Sequence, residues 1–427
     1  MRGASDTMPL TRRRMVSAGG AALALPFLGR GAQARGSGRV VVVGGGFGGA
    51  TAARFLAAFG HQVTLVERQP TYWTCPFSNT VLAGLNRMEA IAFGYGGVRA
   101  AGVTVLQDDA QGIDPERREV RRAGGPAIPY DRLLLSPGIE LRYDALPGYD
   151  QAAAEVMPHA WIAGAQTRLL RRQLEAMEDG GTVAIAVPDN PFRCPPGPYE
   201  RASLIAHYLK AEKPSSKILI LDAKDAFSKR PLFEEAWAAL YPDMIEWVPV
   251  SSGGKVVEVD PATMTLRTDF AEHRVAVANV IPPQRAGAIA ETAGVADATG
   301  WCPVDPETFE SALVPGIHVI GDACLAGAMP KSAFAANAQA KVVAGTIDAL
   351  LRGEAPGPAK LINTCYSLAA PDHAFNVAGV YEAVDGALAQ IEGAGGTSPV
   401  GAPADIRARE AEYARAWYAT ITGEVFG

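Results

Sequence analysis

A glycine-rich turn between an apolar strand and a helix constrains the fold of this 427-residue chain more than any other feature. A buried strand is predicted at 39–43, and Gly44, Gly46 and Gly49 follow it with the spacing Gly-x-Gly-x-x-Gly. A helix at 50–58 and a second strand at 62–66 complete a βαβ unit. The first glycine permits the tight turn, the second lets the backbone approach a pyrophosphate, and the third lets helix and strand pack closely. We therefore predict an α/β fold that holds a dinucleotide at this turn.

Two acidic residues indicate which dinucleotide is bound. Glu67 ends the second strand of the βαβ unit, where it can bind the adenosine ribose hydroxyls. A later strand at 317–320 runs into Gly321 and Asp322, which resembles the late Gly-Asp motif of flavoproteins with two dinucleotide domains. In those proteins the aspartate binds the ribitol hydroxyls. This second motif favours FAD over NAD.

A second α/β unit begins with a strand predicted at 182–187. Pro188, Asp189, Asn190 and Pro191 follow this strand where phosphate-binding glycines would be expected. We therefore do not expect this unit to bind NAD(P)H, and electrons must enter the protein from another donor.

The segment 1–34 has the pattern of an export signal. Arg12, Arg13 and Arg14 precede an apolar stretch at 16–28, which is too short to span a bilayer, since about 20 residues are needed. Ala32-Gln33-Ala34 then offers a cleavage site with small residues. We predict a twin-arginine signal peptide at 1–34 and a periplasmic protein, the alternative being a disordered basic tail.

The composition of the rest of the chain excludes several classes of partner. Removal of 1–34 takes away five arginines and one aspartate, so the formal charge moves from −6 to −10. An acidic protein has no general attraction for nucleic acid or anionic lipid. No apolar window after residue 34 is long enough for a membrane span. The five cysteines form no Cys-x-x-Cys or Cys-x-x-Cys-His motif, so we predict no metal site and no haem on this chain.

Several longer segments carry a family likeness. From about residue 39 to the end, the chain resembles the flavoprotein subunit of flavocytochrome c sulfide dehydrogenase, including the related flavoprotein of periplasmic sulfur-oxidising systems. The segments that carry this resemblance are 71–76, 191–200, 281–287, 300–305 and 363–367.

The resemblance implies a two-dinucleotide-binding-domain flavoprotein of the glutathione-reductase type. An FAD-binding domain is then expected at 35–148 and 266–352, a degenerate NAD-like domain at 149–265, and a C-terminal interface domain at 353–427. This division agrees with the two α/β units and with a Gly/Pro-rich linker at 353–358.

The resemblance also implies roles for three of the cysteines. Cys75 matches the cysteine that the family bonds to the flavin 8α-methyl group as a thioether. Cys194 and Cys365 match the redox-active disulfide, in which sulfide attacks one sulfur and frees the other as a thiolate. Either cysteine is a candidate for the attacked sulfur, and a purely structural crosslink is the alternative. Cys302 has no derived role, and a buried inert thiol is the default. Cys324 stands where the family commonly carries serine, which is consistent with a harmless small-residue replacement but also puts a spare thiol near the ribitol.

Two charged residues are further candidates. Lys331 precedes a helix predicted from Phe334, whose N-terminus would stabilise an anionic reduced flavin with or without the lysine. Glu200, six residues after Cys194, is a candidate proton acceptor for hydrogen sulfide, although a solvated or helix-cap role is at least as compatible.

Three functions are consistent with these features. The first is oxidation of sulfide, with FAD bound at Cys75, Gly44, Gly46, Gly49, Glu67, Asp322 and Lys331, and with electrons leaving to a c-type cytochrome subunit that carries the haem. The second is a sulfide:quinone oxidoreductase, although residues 405–427 are too polar for deep membrane insertion. The third is a flavin-bearing accessory protein that reactivates a sulfur-oxidising complex.

Overall fold

A computed structural model describes residues 37–427, and the predicted signal peptide lies outside the described residues. The described chain alternates strands and helices as far as residue 351 and ends in an antiparallel sheet and a long helix. The elements before residue 160 are β1 (Arg39–Val43), α1 (Phe47–Ala58), β2 (Gln62–Glu67), β3 (Thr71–Trp73), α2 (Ser78–Leu82), β4 (Ala92–Gly94), α3 (Gly96–Ala100), β5 (Thr104–Gln107), β6 (Ala110–Asp114), β7 (Glu119–Arg122), β8 (Gly125–Pro129), β9 (Arg132–Leu135), β10 (Ile139–Leu141) and α4 (Gln151–Ala154). Those of the middle part are α5 (Ala165–Ala176), β11 (Thr182–Val187), α6 (Gly197–Glu212), β12 (Lys217–Asp222), α7 (Arg230–Leu240), β13 (Ile245–Val248), β14 (Val256–Asp260), β15 (Thr265–Thr268), β16 (Glu272–Arg274) and β17 (Val277–Val280). The last part contains β18 (Gln284–Ala286), α8 (Ile289–Thr292), β19 (Cys302–Pro303), β20 (Ile317–Val319), β21 (Cys324–Leu325), α9 (Ala333–Leu351), β22 (Lys360–Ala370), β23 (His373–Val384), β24 (Ala387–Gln390), β25 (Gly396–Thr397) and α10 (Ala404–Phe426).

The first sheet has five parallel strands in the order β20-β9-β1-β2-β5. Its central strand β1 ends in four buried valines, as expected for a parallel strand covered on both faces. The neighbouring strand β9 lies between β1 and β20, although β20 comes much later in the chain. The turns after these three strands therefore meet at one sheet edge. Gly44, Ser136 and Gly321 lie together there.

The second sheet is also parallel, with the order β13-β12-β11-β17. Its fourth strand, Val277–Val280, lies beyond the predicted domain boundary at 265/266. Before β17, the strands β14, β15 and β16 form a separate antiparallel sheet. The chain therefore returns towards the first sheet only after Val280. The exit from the middle part is thus later than the sequence pattern indicated.

The C-terminal part consists of β22, β23 and β24 in antiparallel pairing, with α10 packed on β23. The N-terminus of α10 has no side-chain cap. Pro403 is the N-cap residue, and Asp405 lies inside the first turn, where its carboxylate bonds to Arg409 at 2.9 Å. An acidic side chain in the first turn still favours the helix through the dipole.

Two further kinds of feature are absent from residues 37–427. None of the helices in this range has the length and apolarity needed to cross a bilayer. The same residues contain no group of three or more His, Cys, Asp or Glu side chains arranged to hold a metal ion.

Candidate functional site

The glycine turn after β1 has the geometry that its sequence predicts. Gly44 adopts φ +96°, and a Cβ on it would lie 2.3 Å from the carbonyl oxygen of Ser136. A Cβ on Gly49 would lie 1.8 Å from the oxygen of Gly44, so neither position accepts a side chain. The N-cap residue of α1 is Gly46, and no side chain caps this helix. Its first-turn N–H groups are therefore available to a phosphate.

Glu67 holds the same turn in place from the end of β2. The backbone N–H of Gly45 donates to Glu67 Oε2 at 2.7 Å, and that of Gln69 donates to Oε1 at 2.8 Å. The carboxylate thus lies beside the turn, where an adenosine ribose would be bound.

A cavity of about 1150 Å³, including its open mouth, extends from this turn. Gly46 and Gly48 line one end of it, and Ser332 at the N-cap of α9 lines another part. Its walls also contain Asp322 and three cysteines, Cys75, Cys194 and Cys365. The fold therefore brings together residues from the first sheet, the middle part and the C-terminal part around one space.

Asp322 is the clearest sign that the cavity takes a polar ligand. Its side chain is largely buried, and among the described residues its Oδ1 has no hydrogen-bond partner. The nearest positive charge, Arg193 Nη1, lies 4.0 Å from Oδ2. Burial raises the pKa of Asp322 above its ordinary value. An unpaired buried carboxyl oxygen fits the ribitol hydroxyls of FAD, so the residues present fit this cofactor.

Lys331 lies close to the cavity but bonds elsewhere. Its ammonium donates to the carbonyl oxygens of Asp322 and Cys324, at 2.8 and 2.7 Å, and lies 4.0 Å from the ring centre of Trp301. The cavity is instead lined by Ser332 and the first residues of α9. The helix N-terminus reaches the site, and the lysine supports the loop before it.

Cys75 lies between β3 and α2, in a turn held by hydrogen bonds from Thr74 and Ser78. A hydrogen bond with the Cys194 thiol lowers the pKa of Cys75 to about 6. The charges of Arg193 and Arg201 act in the same direction, whereas burial opposes them. A thiol with a lowered pKa is a good nucleophile at neutral pH.

Cys194 occupies the loop between β11 and α6, with a left-handed backbone at φ +59°. Its N–H donates to the carbonyl oxygen of Lys331 at 2.9 Å, and its own carbonyl accepts from Gly197 at 2.8 Å. The hydrogen bond with Cys75, together with burial, raises the pKa of Cys194 well above its ordinary value.

Cys365 lies in β22, on the C-terminal sheet. Asn363 Nδ2 lies 3.3 Å from its sulfur, and Lys229 Nζ donates to its carbonyl oxygen at 2.7 Å. Cys194 and Cys365 are far apart in the chain but line one cavity. All five cysteines are free thiols in this structure, so the disulfide between these two stays a prediction.

Glu200 lines the cavity from the first turn of α6. Burial raises the pKa of Glu200 to about 7, although a hydrogen bond from Asn79 Nδ2, 3.1 Å away, favours the carboxylate. A carboxyl group that titrates near neutral pH suits proton transfer.

Sequence reasoning missed four residues that shape this site. Arg193 and Asn363 lie in segments that carried the family likeness, so those segments were the available signal. Arg201 is almost fully buried and donates to Asn79 and to the carbonyl oxygens of 159 and 160. No sequence pattern indicated a role for Lys229, because it follows Phe227-Ser228 in a loop that carries no motif.

The middle part fills its own nucleotide position with side chains. Asp222 ends β12, where a nucleotide-binding unit would use an acidic residue for a ribose. Its carboxylate instead accepts hydrogen bonds from Tyr199 at 2.5 Å, Lys224 Nζ at 2.6 Å and Trp247 Nε1 at 2.9 Å. Phe227 stacks on Tyr199 with 3.6 Å between ring centres. The carboxylate of Asp222 therefore stabilises the core of the middle part.

Cys302 and Cys324 are directly paired in the short parallel strands β19 and β21. Both are buried, and burial raises the pKa of Cys302 to about 12 and that of Cys324 to about 11. Such thiols stay protonated and unreactive at neutral pH.

Comparisons with known families match three parts of the chain. The family model described as "Sulfide dehydrogenase [flavocytochrome c] flavoprotein chain, central" matches residues 167–282. "Flavocytochrome c sulphide dehydrogenase, flavin-binding" matches residues 357–426, and "Pyridine nucleotide-disulphide oxidoreductase" matches residues 38–169.

Individual relatives agree with these matches. The flavocytochrome c sulfide dehydrogenase flavoprotein chain of Chlorobaculum thiosulfatiphilum is 56% identical over 48 residues, which is 11% of this chain and the whole of that sequence. The mitochondrial sulfide:quinone oxidoreductase of Mus musculus is 24% identical over 328 residues, covering 74% of this chain and 72% of the relative.

Solved structures share the fold. The sulfide:quinone oxidoreductase of Aquifex aeolicus superposes with a TM-score of 0.70 at 17% identity, covering 90% of this chain and 92% of the other. The putidaredoxin reductase of a covalent complex with putidaredoxin gives 0.62 at 19% identity, covering 81% and 83%. The chain therefore has the fold of the FAD-dependent pyridine nucleotide-disulphide oxidoreductases.

Proposed function

The chain belongs to the family of the flavocytochrome c sulfide dehydrogenase flavoprotein chain and is a flavoprotein oxidoreductase acting on sulfide, and on this premise we propose that it oxidises sulfide in the periplasm, through covalently bound FAD, and passes the electrons to a c-type cytochrome subunit. The product is sulfur or polysulfide. The reaction runs through a disulfide between Cys194 and Cys365.

The observation that carries this proposal is the meeting of Cys194 and Cys365 at the wall of one cavity. One lies on the loop after β11 and the other on β22, so no local sequence signal requires them to meet. The same cavity contains the glycine turn and Asp322. A disulfide between two such cysteines can exchange with a sulfur nucleophile, and the thiolate that it releases then lies next to the site of a two-electron acceptor.

The chain's own residues divide the chemistry between them. Sulfide attacks one sulfur of the disulfide and leaves a persulfide on it, while the other cysteine departs as a thiolate. Glu200, with a pKa of about 7, takes the proton that hydrogen sulfide loses. Bound FAD supplies the two-electron acceptor. The buried wall around Arg201 and Trp161 limits the access of water.

The covalent attachment is proposed at Cys75. Its sulfur is at the cavity wall, and its lowered pKa provides the thiolate that a thioether bond needs. Arg193 and Arg201 supply positive charge nearby. A thioether would prevent loss of the cofactor after export.

Sulfide-dependent reduction of a c-type cytochrome by the purified protein tests the main proposal. Cys194→Ser and Cys365→Ser are each expected to abolish turnover while leaving FAD bound. Cys324→Ser is the matched control, because Cys324 is a buried thiol that no step uses, and it should retain activity. Absence of cytochrome reduction by the wild-type protein, with rescue of a sulfur-oxidising complex instead, would favour the accessory role.

Quinone reduction is the second candidate, because relatives that cover most of the chain are sulfide:quinone oxidoreductases. The discriminating experiment compares a soluble quinone with a c-type cytochrome as the acceptor at equal sulfide concentration. Faster turnover with the quinone would replace the cytochrome in the proposal and leave the sulfide chemistry in place.

The periplasmic location is tested separately. Replacement of Arg12 and Arg13 by lysine is expected to keep the protein in the cytoplasm, whereas the wild-type chain is exported. Equal export of both chains would contradict the twin-arginine route.

A further inference from the structure

Cys365 has a hydrogen-bond donor aimed at its sulfur. Asn363 and Cys365 are two residues apart in β22, so their side chains lie on the same face of the strand. Asn363 is only 2% exposed, and its Nδ2 lies 3.3 Å from Cys365 Sγ. A buried amide N–H next to a sulfur stabilises negative charge on that sulfur more than it stabilises a neutral thiol.

The orientation of this amide is set by the start of α9. Ser332 Oγ accepts the N–H of Ala335 at 3.0 Å, which is the N-cap bond of the helix. The single hydroxyl proton of Ser332 is then free to donate to Asn363 Oδ1, at 2.6 Å. With its oxygen bound in this way, the Asn363 amide must present its nitrogen to Cys365.

A buried ammonium also contacts the backbone of Cys365. Lys229 Nζ donates to the carbonyl oxygen of Cys365 at 2.7 Å and to Ser367 Oγ at 2.8 Å. Lys229 is 8% exposed, so its charge is weakly screened. The N-terminus of α9 adds a partial positive charge at the same wall.

Cys194 has different surroundings. Its backbone N–H is already used by Lys331, and no N–H donor to its sulfur is present among the described residues. Among the charged groups that face it, Glu200 opposes a thiolate, whereas Arg193 and Arg201 favour one. Lys229 also favours one, although its interaction with Cys365 is the stronger.

We propose that Ser332, Asn363 and Lys229 are positioning residues that make Cys365 the leaving thiolate, so that sulfide adds to Cys194. The inference rests on the proposed function. Hydrosulfide forms a bond to Cys194 Sγ, the bond between Cys194 and Cys365 breaks, and its electron pair goes to Cys365 Sγ. The products are a Cys194 persulfide and a Cys365 thiolate. The disulfide is reduced by the two electrons that the sulfide loses.

The test is a single turnover of the holoenzyme in its disulfide form. The protein is mixed anaerobically with one equivalent of sulfide, quenched with an alkylating agent early in the turnover, digested, and analysed by mass spectrometry. In the wild-type protein the alkylated persulfide is expected mainly on the Cys194 peptide. Persulfide mainly on the Cys365 peptide would overturn the inference and leave the proposed function intact.

Variants of Asn363 add a readout that a purely structural role would not change. Asn363→Ala should slow persulfide formation by about 10- to 100-fold, the usual value of a hydrogen bond to a charged group. Asn363→Asp places a carboxylate against Cys365 and should shift the persulfide towards Cys365. Asn376→Ala, on the neighbouring strand, is the matched control and should change neither rate nor location.

Two further outcomes are decisive. An Asn363→Asp protein that still forms its persulfide only on Cys194 would refute the role of Asn363. No persulfide on either cysteine, together with no sulfide-dependent reduction of the flavin, would refute the proposed function and this inference with it.

Discussion

Replacing Glu200 by glutamine tests whether this carboxyl group is kept protonated inside the protein. Burial raises the pKa of Glu200 from 4.5 to about 7. A folded-state pKa above the unfolded value means that the native protein holds a proton that the unfolded chain releases. The native state therefore loses relative stability as the pH rises from 4.5 to 7, and the loss stops above 7.

The size of the effect follows from the shift. At about 1.4 kcal/mol per pKa unit, the cost that develops between pH 4.5 and 7 is about 3 kcal/mol. Glu200→Gln carries no such cost. The unfolding free energy of the wild-type protein, minus that of Glu200→Gln, should therefore fall by about 3 kcal/mol across this range.

Urea unfolding, followed by tryptophan fluorescence at several pH values, measures this difference. Glu212→Gln is the matched control, because Glu212 lies at the exposed end of the same helix α6, and its difference should stay nearly constant. A Glu200 difference that does not change with pH would refute a buried, protonated carboxyl group. If Glu200 accepts the proton of hydrogen sulfide, the rate of sulfide-dependent reduction should rise near pH 7 in the wild-type protein. This rise should be absent from Glu200→Gln.

Three more predictions address the cofactor site and the middle part. Denaturing electrophoresis should show a flavin-fluorescent band for the wild-type protein and for Cys324→Ser but none for Cys75→Ala; fluorescence in the Cys75→Ala band would exclude the thioether. Gly49→Ala should lower the flavin content of the purified protein strongly, since its Cβ would lie 1.8 Å from a backbone oxygen. Its control is Gly345→Ala, whose Cβ meets nothing within 4 Å, and this variant should bind flavin normally. Flavin absorbance at equal protein concentration measures both. Asp222→Ala should lower the unfolding free energy by about 3–5 kcal/mol, because it leaves a buried lysine without its partner, and a loss below about 1 kcal/mol in urea unfolding would contradict this.

Much of the α/β framework was accessible from local sequence patterns. The strand and turn at 39–49, the strand at 182–187 and the long helix after Ser332 were predicted close to their observed positions, because each carries its own periodicity or turn chemistry. The end of the middle part was placed too early. Val277–Val280 is apolar enough for either sheet, and only the pairing of β17 with β11 decides where it belongs.

The sequence alone determined where a diphosphate can bind. The glycine turn at 44–49 works through backbone conformation and steric exclusion between near neighbours, and those constraints are written into the local sequence. The tertiary structure alone decided the surroundings of the sulfur atoms. Cys365 meets Asn363 through strand geometry, Ser332 through helix packing and Lys229 through a loop from a distant part of the chain. The charge and hydrogen bonding that make two cysteines chemically different depend on distances of a few ångströms, which no spacing along the chain specifies.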